Sequence, residues 1–210
     1  MNKKLALFGG SFNPIHNAHI DIALCAIKEL LLDEVLLMPT IRPVHKRIAY
    51  NISFDDRCKM ISLAIKDYSK LKLFDYEKNI NYKPYSYLII KDIKQKYNID
   101  DLYFIIGYDS LNSIEEWYEY KKLLLEVKLV VAPRDNISNE IISKKINFLQ
   151  EKCNTKIILL SYKKNNISSS NIRFLLSQRT KDQKFNIELA KELNINKKVL
   201  EYIIRNKIYL

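Results

Sequence analysis

The 210-residue sequence holds only three glycines, with five prolines, three cysteines, three histidines and one tryptophan. Average usage would supply about fifteen glycines, so the places where this chain keeps one are informative. Gly9 and Gly10 stand side by side after the apolar run "LALF", and Gly107 follows "LYFII". Each is expected where a buried strand ends. Cys25, Cys58 and Cys153 are odd in number and far apart, so neither a disulfide framework nor a zinc cluster is indicated, and three reduced core thiols are expected. No apolar run approaches the ~18 residues a bilayer span needs, so a soluble protein is expected. "MNKKLALFGGSF" has a charged start but too short an apolar stretch for a secretion signal, which makes the cytoplasm the expected compartment. The net charge is +11, yet 28 of the 35 basic residues are lysines scattered through an Ile- and Asn-rich chain. Neither a basic stripe with interleaved aromatics nor a known module accompanies them, so the charge implies no nucleic-acid partner and suits anionic small molecules.

What the chain does have is apolar substance in a regular alternation. With 48% hydrophobic residues it can bury one real core. "KLALF", "EVLLM", "LKLF", "DLYFII", "KLVVA" and "KIILL" are continuous apolar runs too short for helices, the pattern of strands covered on both faces. Between them Ala18–Leu32, Ser53–Asp67, Tyr85–Tyr97, Ile114–Leu125 and Ile137–Lys152 carry apolar residues at helical spacing. Alternating strands and helices predict an α/β fold, a Rossmann-like doubly wound parallel sheet with helices on both faces. After "KIILL" the pattern changes: "SSSNIRFLLSQ" opens on serines able to cap a helix, and "NINKKVLEYIIRNKIYL" reads as a last helix begun at Asn194 or Asn196. The expected division is a core over 1–165 and a small helical C-terminal subdomain over 166–210.

Ligands of open parallel sheets bind beyond the carboxyl ends of the strands, where Gly9, Gly10 and Gly107 are expected to let the backbone take positive φ and a ligand come close. The pattern is neither GxGxxG nor the phosphate loop ending in Gly-Lys-Ser/Thr. His16, His19 and His45 all fall near these loops, and Lys46 adjoins the last. His16 and His19 are three apart at the start of a helix, on one face of its first turn. Free N–H groups and the positive dipole end there suit a phosphate, and two imidazoles could donate to a phosphoryl group as its charge grows. No Cys or acidic residue stands at ligand spacing to complete a zinc site.

"GGSFNPIHNAH" resembles the N-terminal signature of the nucleotidyltransferase superfamily. "MPTIRPVHK", "DDRCKM", "PYSY", "FIIGYDSLNSIEEWYEYKKLL", "VVAPR" and "ISSSNIRFLL" are similar, in order and spacing, to the successive motifs of the nicotinate-nucleotide adenylyltransferases. The resemblance covers almost the whole chain. Asn13 stands where the family has Asp, Ala18 where it has the inter-histidine Gly, Val44 in the register of a proline, Ser170 for Thr, and Leu88 where Thr is usual. The resemblance implies transfer of the adenylyl group of ATP, with Mg²⁺, to nicotinate mononucleotide, giving deamido-NAD and pyrophosphate. A phosphate monoester is already an anionic nucleophile, so positioning and charge stabilisation suffice.

By resemblance, His16, His19, Lys46 and Arg173 would act on the reacting phosphates, and Gly9, Gly10, Ser11 and Phe12 would bring backbone to the nucleotide. Ser168 and Ser169 would hold the β and γ phosphates, Gly107 and Asp109 the ribose, and Arg134 the adenine end. The mononucleotide would meet His45, Ser86, Tyr87, Leu88, Trp117 and Tyr118, with Trp117 stacked on the pyridinium ring. Backbone N–H groups at Leu88 and Tyr118 would take its carboxylate. No resident metal is expected, and the sequence allows a homo-oligomer. Alternatives are the amidated mononucleotide or phosphopantetheine as acceptor, or a nucleotide sensor on the same fold. A class I aminoacyl-tRNA synthetase shares the two-histidine idea, but "KMISL" is not its lysine-rich second signature.

Overall fold

The structure is a computed structural model describing residues 3–41, 52–99, 101–134, 137–162, 167–178 and 187–209. The six apolar runs form six strands: β1 (Leu5–Gly10), β2 (Glu34–Pro39), β3 (Leu71–Leu73), β4 (Leu102–Gly107), β5 (Lys128–Ala132) and β6 (Ile157–Leu159). They make one sheet in the order β3-β2-β1-β4-β5-β6, every neighbouring pair parallel. This is the doubly wound order with its switch point between β1 and β4, where Leu5 pairs with Leu102 and Phe8 with Ile105. The order of strands reverses across the sheet there, and in open sheets of this kind the loops leaving the two switch-point strands flank the ligand crevice.

Helices cover both faces. α1 (Asn17–Leu30) and α2 (Phe54–Ala64) precede α3 (Ser86–Tyr97), α4 (Tyr108–Asn112), α5 (Tyr120–Glu126) and α6 (Asn139–Cys153), and α7 (Ser169–Ser177), α8 (Ile187–Glu192) and α9 (Lys197–Arg205) end the described chain. Side chains alternate across β1, so Ala6 and Phe8 enter one core while Leu7 enters the other. The first core joins α1, α2 and the C-terminal helices, the second α3 to α6. Val199, Leu200 and Ile203 are almost wholly buried in the first core. Each such side chain is worth about 1.5–3 kcal/mol, so α9 is attached to the sheet's own core. The expected boundary between residues 165 and 166 lies outside the described residues. Among the described residues no helix is long and apolar enough to cross a membrane.

Several helix ends follow their sequence signals. Ser53, Ser138 and Ser168 cap α2, α6 and α7 through their hydroxyls, and the Asn196 side chain accepts from Lys198 N–H to start α9. The stretch expected as one helix over Ile114–Leu125 is broken. Ile114–Glu116 is a 3-10 turn, Trp117 is extended, and Glu119 takes the left-handed conformation before α5. The break has a physical reason: Ile114 is fully buried, while Glu115 is held by Lys145 at 2.5 Å and Lys152 at 2.7 Å, both on α6. These anchors hold the turn against α6, and the extended Trp117 packs on Phe104 of central strand β4, ring centroids 6.5 Å apart.

Candidate active site

Three glycines stand at the carboxyl ends of β1 and β4, and none has positive φ. The left-handed residue is Phe12, at φ 43°. Glycine is needed at the end of β1 for closeness of packing: a Cβ on Gly10 would lie 3.1 Å from the Phe12 ring, and one on Gly9 3.3 Å from the Phe104 ring. A Cβ on Gly107 would meet nothing within 4 Å, so that strand end faces open space.

Between β1 and α1 the turn Ser11–His16 is fixed from outside. Arg57, on α2 and 1% exposed, donates Nη1 to the Ser11 carbonyl at 2.8 Å. Arg173, on α7, donates Nη1 to the Asn13 carbonyl at 2.7 Å and Nη2 to Ser170 Oγ at 3.0 Å. Ser169 Oγ donates to the Pro14 carbonyl at 2.9 Å. The Asn13–Pro14 peptide is cis. Three carbonyls of one short turn are thus engaged by α2 and α7, which fixes its peptide planes. Two first-turn N–H groups of α1 are also committed, Asn17 to the Asn194 carbonyl at 2.9 Å and His19 to the His16 carbonyl at 3.0 Å.

His16 is the N-cap of α1, and His19 lies in its first turn with ring centroids 3.8 Å apart. His16 N–H donates to His19 Nδ1 at 3.2 Å, so the proton of a neutral His19 sits on Nε2. The His19 ring also rests edge-on against Phe12 at 5.1 Å. Burial removes water from both imidazoles and disfavours their cations. His16 is pushed down to about 2, with His19 a further cause, and His19 to about 4. Both are neutral donors near pH 7. His16 is buried, and its Nδ1 has no hydrogen-bond partner within the protein. A polar atom left so costs about 1–3 kcal/mol until something pairs with it.

Across the switch point, Asp109 on α4 is ion-paired with Arg134 beyond β5, both half-exposed. Ser86, Tyr87 and Leu88 make the first turn of α3. Tyr85 before them stacks on Tyr118 at 4.6 Å, which brings that turn to the segment carrying half-buried Trp117. Phe104 joins the two halves, touching the Gly9 position on one side and Trp117 on the other. The structure therefore assembles Gly9, Gly10, Ser11, Phe12, His16, His19, Ser169 and Arg173 around one turn. It sets Gly107, Asp109 and Arg134 together at the ends of β4 and β5, and groups Ser86, Tyr87, Leu88, Trp117 and Tyr118. Ser168 caps α7 rather than reaching the turn. His45 and Lys46 lie outside the described residues. Among the described residues no group of three or more His, Cys, Asp or Glu could hold a metal ion.

Sequence reasoning missed Arg57 and Tyr209. Arg57 lies inside "DDRCKM", but its motif gives no hint that the guanidinium is buried under the turn. Tyr209 is near the far end of the chain, and its hydroxyl donates to Asn13 Oδ1.

The doubly wound sheet with a histidine pair at the switch-point turn is the arrangement of a nucleotidyltransferase class, and the cytidylyltransferase-like family model matches residues 7–174. Curated relatives include the probable nicotinate-nucleotide adenylyltransferases of Clostridium acetobutylicum, 32% identical over 99% of this chain and 100% of that one, and of Clostridium beijerinckii, 34% identical over 99% of each. Among solved structures, Plasmodium falciparum nicotinic acid mononucleotide adenylyltransferase complexed with NaAD superposes with TM-score 0.76 at 26% identity, covering 99% of this chain and 98% of that one. The chain belongs to the cytidylyltransferase-like family and, within it, to the nicotinate-nucleotide adenylyltransferases.

Proposed function

We propose that this chain joins ATP and nicotinate mononucleotide to give deamido-NAD and pyrophosphate, a step of NAD biosynthesis. The observation that carries the reading is the neutral pair His16 and His19 at the head of α1, with His16 Nδ1 buried and unpaired beside a turn whose carbonyls are tied back. An anionic oxygen bound at the head of α1 meets the two neutral imidazoles there. It also takes a hydrogen bond from His19 Nε2 with little reorganisation, because the turn is already fixed.

The acceptor's phosphate oxygen forms a bond to the α-phosphorus of ATP while the bond from that phosphorus to the bridging oxygen breaks, and pyrophosphate leaves with Mg²⁺. No proton need be removed from the nucleophile, so no general base is required. Mg²⁺ arrives as part of the substrate, bound to the ATP phosphates. His16 and His19 stabilise charge on the reacting phosphates, and the helix dipole of α1 adds to this. Gly9, Gly10, Ser11 and Phe12 line the nucleotide, Ser169 and the Ser168 cap present the start of α7 to the outer phosphates, and Arg173 adds its charge from the turn it holds. Lys46 and His45 complete the phosphate and mononucleotide ends by their resemblance to the family motif. Gly107 and Asp109 meet the ribose, with Arg134 beside them at the adenine end.

Trp117 and Tyr118 offer the surface for the pyridinium ring, and the first-turn N–H groups of α3, which no intrahelical carbonyl can reach, meet its carboxylate with Ser86, Tyr87 and Leu88. N–H groups only donate, so this subsite prefers a carboxylate to a neutral amide. The reading supplies small-molecule partners without nucleic acid or membrane, and a cytoplasmic enzyme able to form a homo-oligomer. The test is product identity: incubation with MgATP and nicotinate mononucleotide yields deamido-NAD and pyrophosphate in equal amounts. Binding of ATP without turnover, whatever mononucleotide is present, would instead make the chain a nucleotide sensor.

A further inference from the structure

The turn that carries the histidine pair has one more attachment, from a residue the reaction does not otherwise use. Tyr209 is 4% exposed and Asn13 3% exposed, and the Tyr209 hydroxyl donates to Asn13 Oδ1 across 196 residues of sequence. Burial pushes the Tyr209 phenol up, so it stays a protonated donor at any working pH. The charges of Arg173 and Arg57, the two guanidiniums that hold the Asn13 and Ser11 carbonyls, act on the same phenol. Tyr209 is therefore tied to the same turn that the two arginines hold. A second attachment from the C-terminal part lies at the other end of the turn, where Asn17 Nδ2 donates to Asn194 Oδ1 at 3.0 Å and Asn17 N–H to the Asn194 carbonyl.

From this geometry we infer that Tyr209 is a positioning residue for the ATP site: its hydroxyl, fixing the Asn13 side chain, locks the Ser11–His16 turn in the conformation that presents His16 and His19 to the phosphates. The inference rests on the reading of that turn as the ATP-phosphate site. Its physical logic is one of over-determination. Phe12 holds a left-handed backbone, uncommon for a non-glycine residue, and the contacts that hold its turn come from α2, α7 and Tyr209. Competence for ATP is thereby linked to docking of the C-terminal helices, although none of their residues beyond α7 need touch the nucleotide.

Tyr209→Phe keeps the buried ring and deletes only the hydroxyl. Tyr202→Phe is the matched control: it deletes a part-buried hydroxyl bond from α9 to the Asp56 side chain on α2 at 2.7 Å, one that makes no contact with Asn13. Steady-state kinetics with MgATP varied, then with the mononucleotide varied, are measured for wild type, both single variants, Asn13→Ala and the double variant Asn13→Ala/Tyr209→Phe. Tyr209→Phe is expected to lower kcat/KM for ATP roughly tenfold, as loss of one hydrogen bond at a buried amide does. The KM for the mononucleotide stays within about twofold, since Trp117 and α3 belong to the other core. In the Asn13→Ala background Tyr209→Phe brings no further loss, and Tyr202→Phe leaves ATP kinetics within about twofold of wild type. ATP kinetics unchanged in Tyr209→Phe, an equal loss in the Asn13→Ala background, or an equal loss in Tyr202→Phe would each overturn the inference. Turnover of ATP by the wild type is judged separately, so failure of the active-site reading is not mistaken for failure of this one.

Discussion

His19 carries two jobs that can be separated by substitution. Its Nδ1 accepts from His16 N–H at 3.2 Å, a cap for α1, while its Nε2 bears the proton offered to the phosphate. Asparagine places Oδ1 close to where Nδ1 stands and has nothing at Nε2, so His19→Asn keeps the cap and removes the donor. Alanine removes both. Losing a cap costs about 1 kcal/mol of stability, and losing a preorganised donor to developing charge costs about 10²–10³ in rate. His19→Asn is therefore expected to unfold within about 0.5 kcal/mol of wild type in urea while kcat falls about a hundredfold. His19→Ala should show the same fall in kcat and lose about 1 kcal/mol more in stability, including its packing on Phe12. Urea titration supplies the stability and continuous pyrophosphate release the rate. Turnover by His19→Asn within threefold of wild type would refute the donor role and leave His19 as a helix cap.

Trp117→Ala should raise the KM for nicotinate mononucleotide about tenfold and leave that for ATP alone, and as the only tryptophan it should be quenched when the mononucleotide binds; no quenching would return it to the core. Glu77 is 3% exposed, accepts from Ile41 N–H at 2.7 Å, and is pushed up by burial to about 7 from 4.5. The folded protein thus holds a proton that the unfolded chain has released, so Glu77 takes away up to about 3 kcal/mol as pH rises from 4.5 to 7. Glu77→Gln should remove that slope in urea midpoints measured from pH 4.5 to 8, and a midpoint that still falls by the same amount would contradict it. Transfer is direct, so α-³²P-ATP without acceptor should leave no label on the denatured protein; retained label would mean an adenylylated intermediate.

The central strands were legible because strands buried on both faces must be continuously apolar, as "KLVVA" and "DLYFII" are, and edge strand β3 because Leu71 and Leu73 keep one apolar face around exposed Lys72. The histidine pair was legible for a similar local reason, three-residue spacing at a helix start. The Ile114–Leu125 break was not, since its cause is a charge clamp to Lys145 and Lys152 some thirty residues on, and helical periodicity sees only neighbours. The glycines misled about φ because the reason for Gly9 and Gly10 is the closeness of Phe104 and Phe12, one of them from another strand. Arg57 and Tyr209 left no sequence signal for the same reason: their importance is defined by which carbonyl or amide they reach, and those partners lie 46 and 196 residues away.

The choice of acceptor tests the proposed reaction most directly. Pyrophosphate release from MgATP, measured with nicotinate mononucleotide, its amide and phosphopantetheine in turn, is predicted to be fastest with nicotinate mononucleotide, slower with the amide by about tenfold for each 1.4 kcal/mol of lost carboxylate binding, and absent with phosphopantetheine. Equal rates with the two mononucleotides would show a site that reads only ribose and phosphate, and release with phosphopantetheine alone would contradict the account.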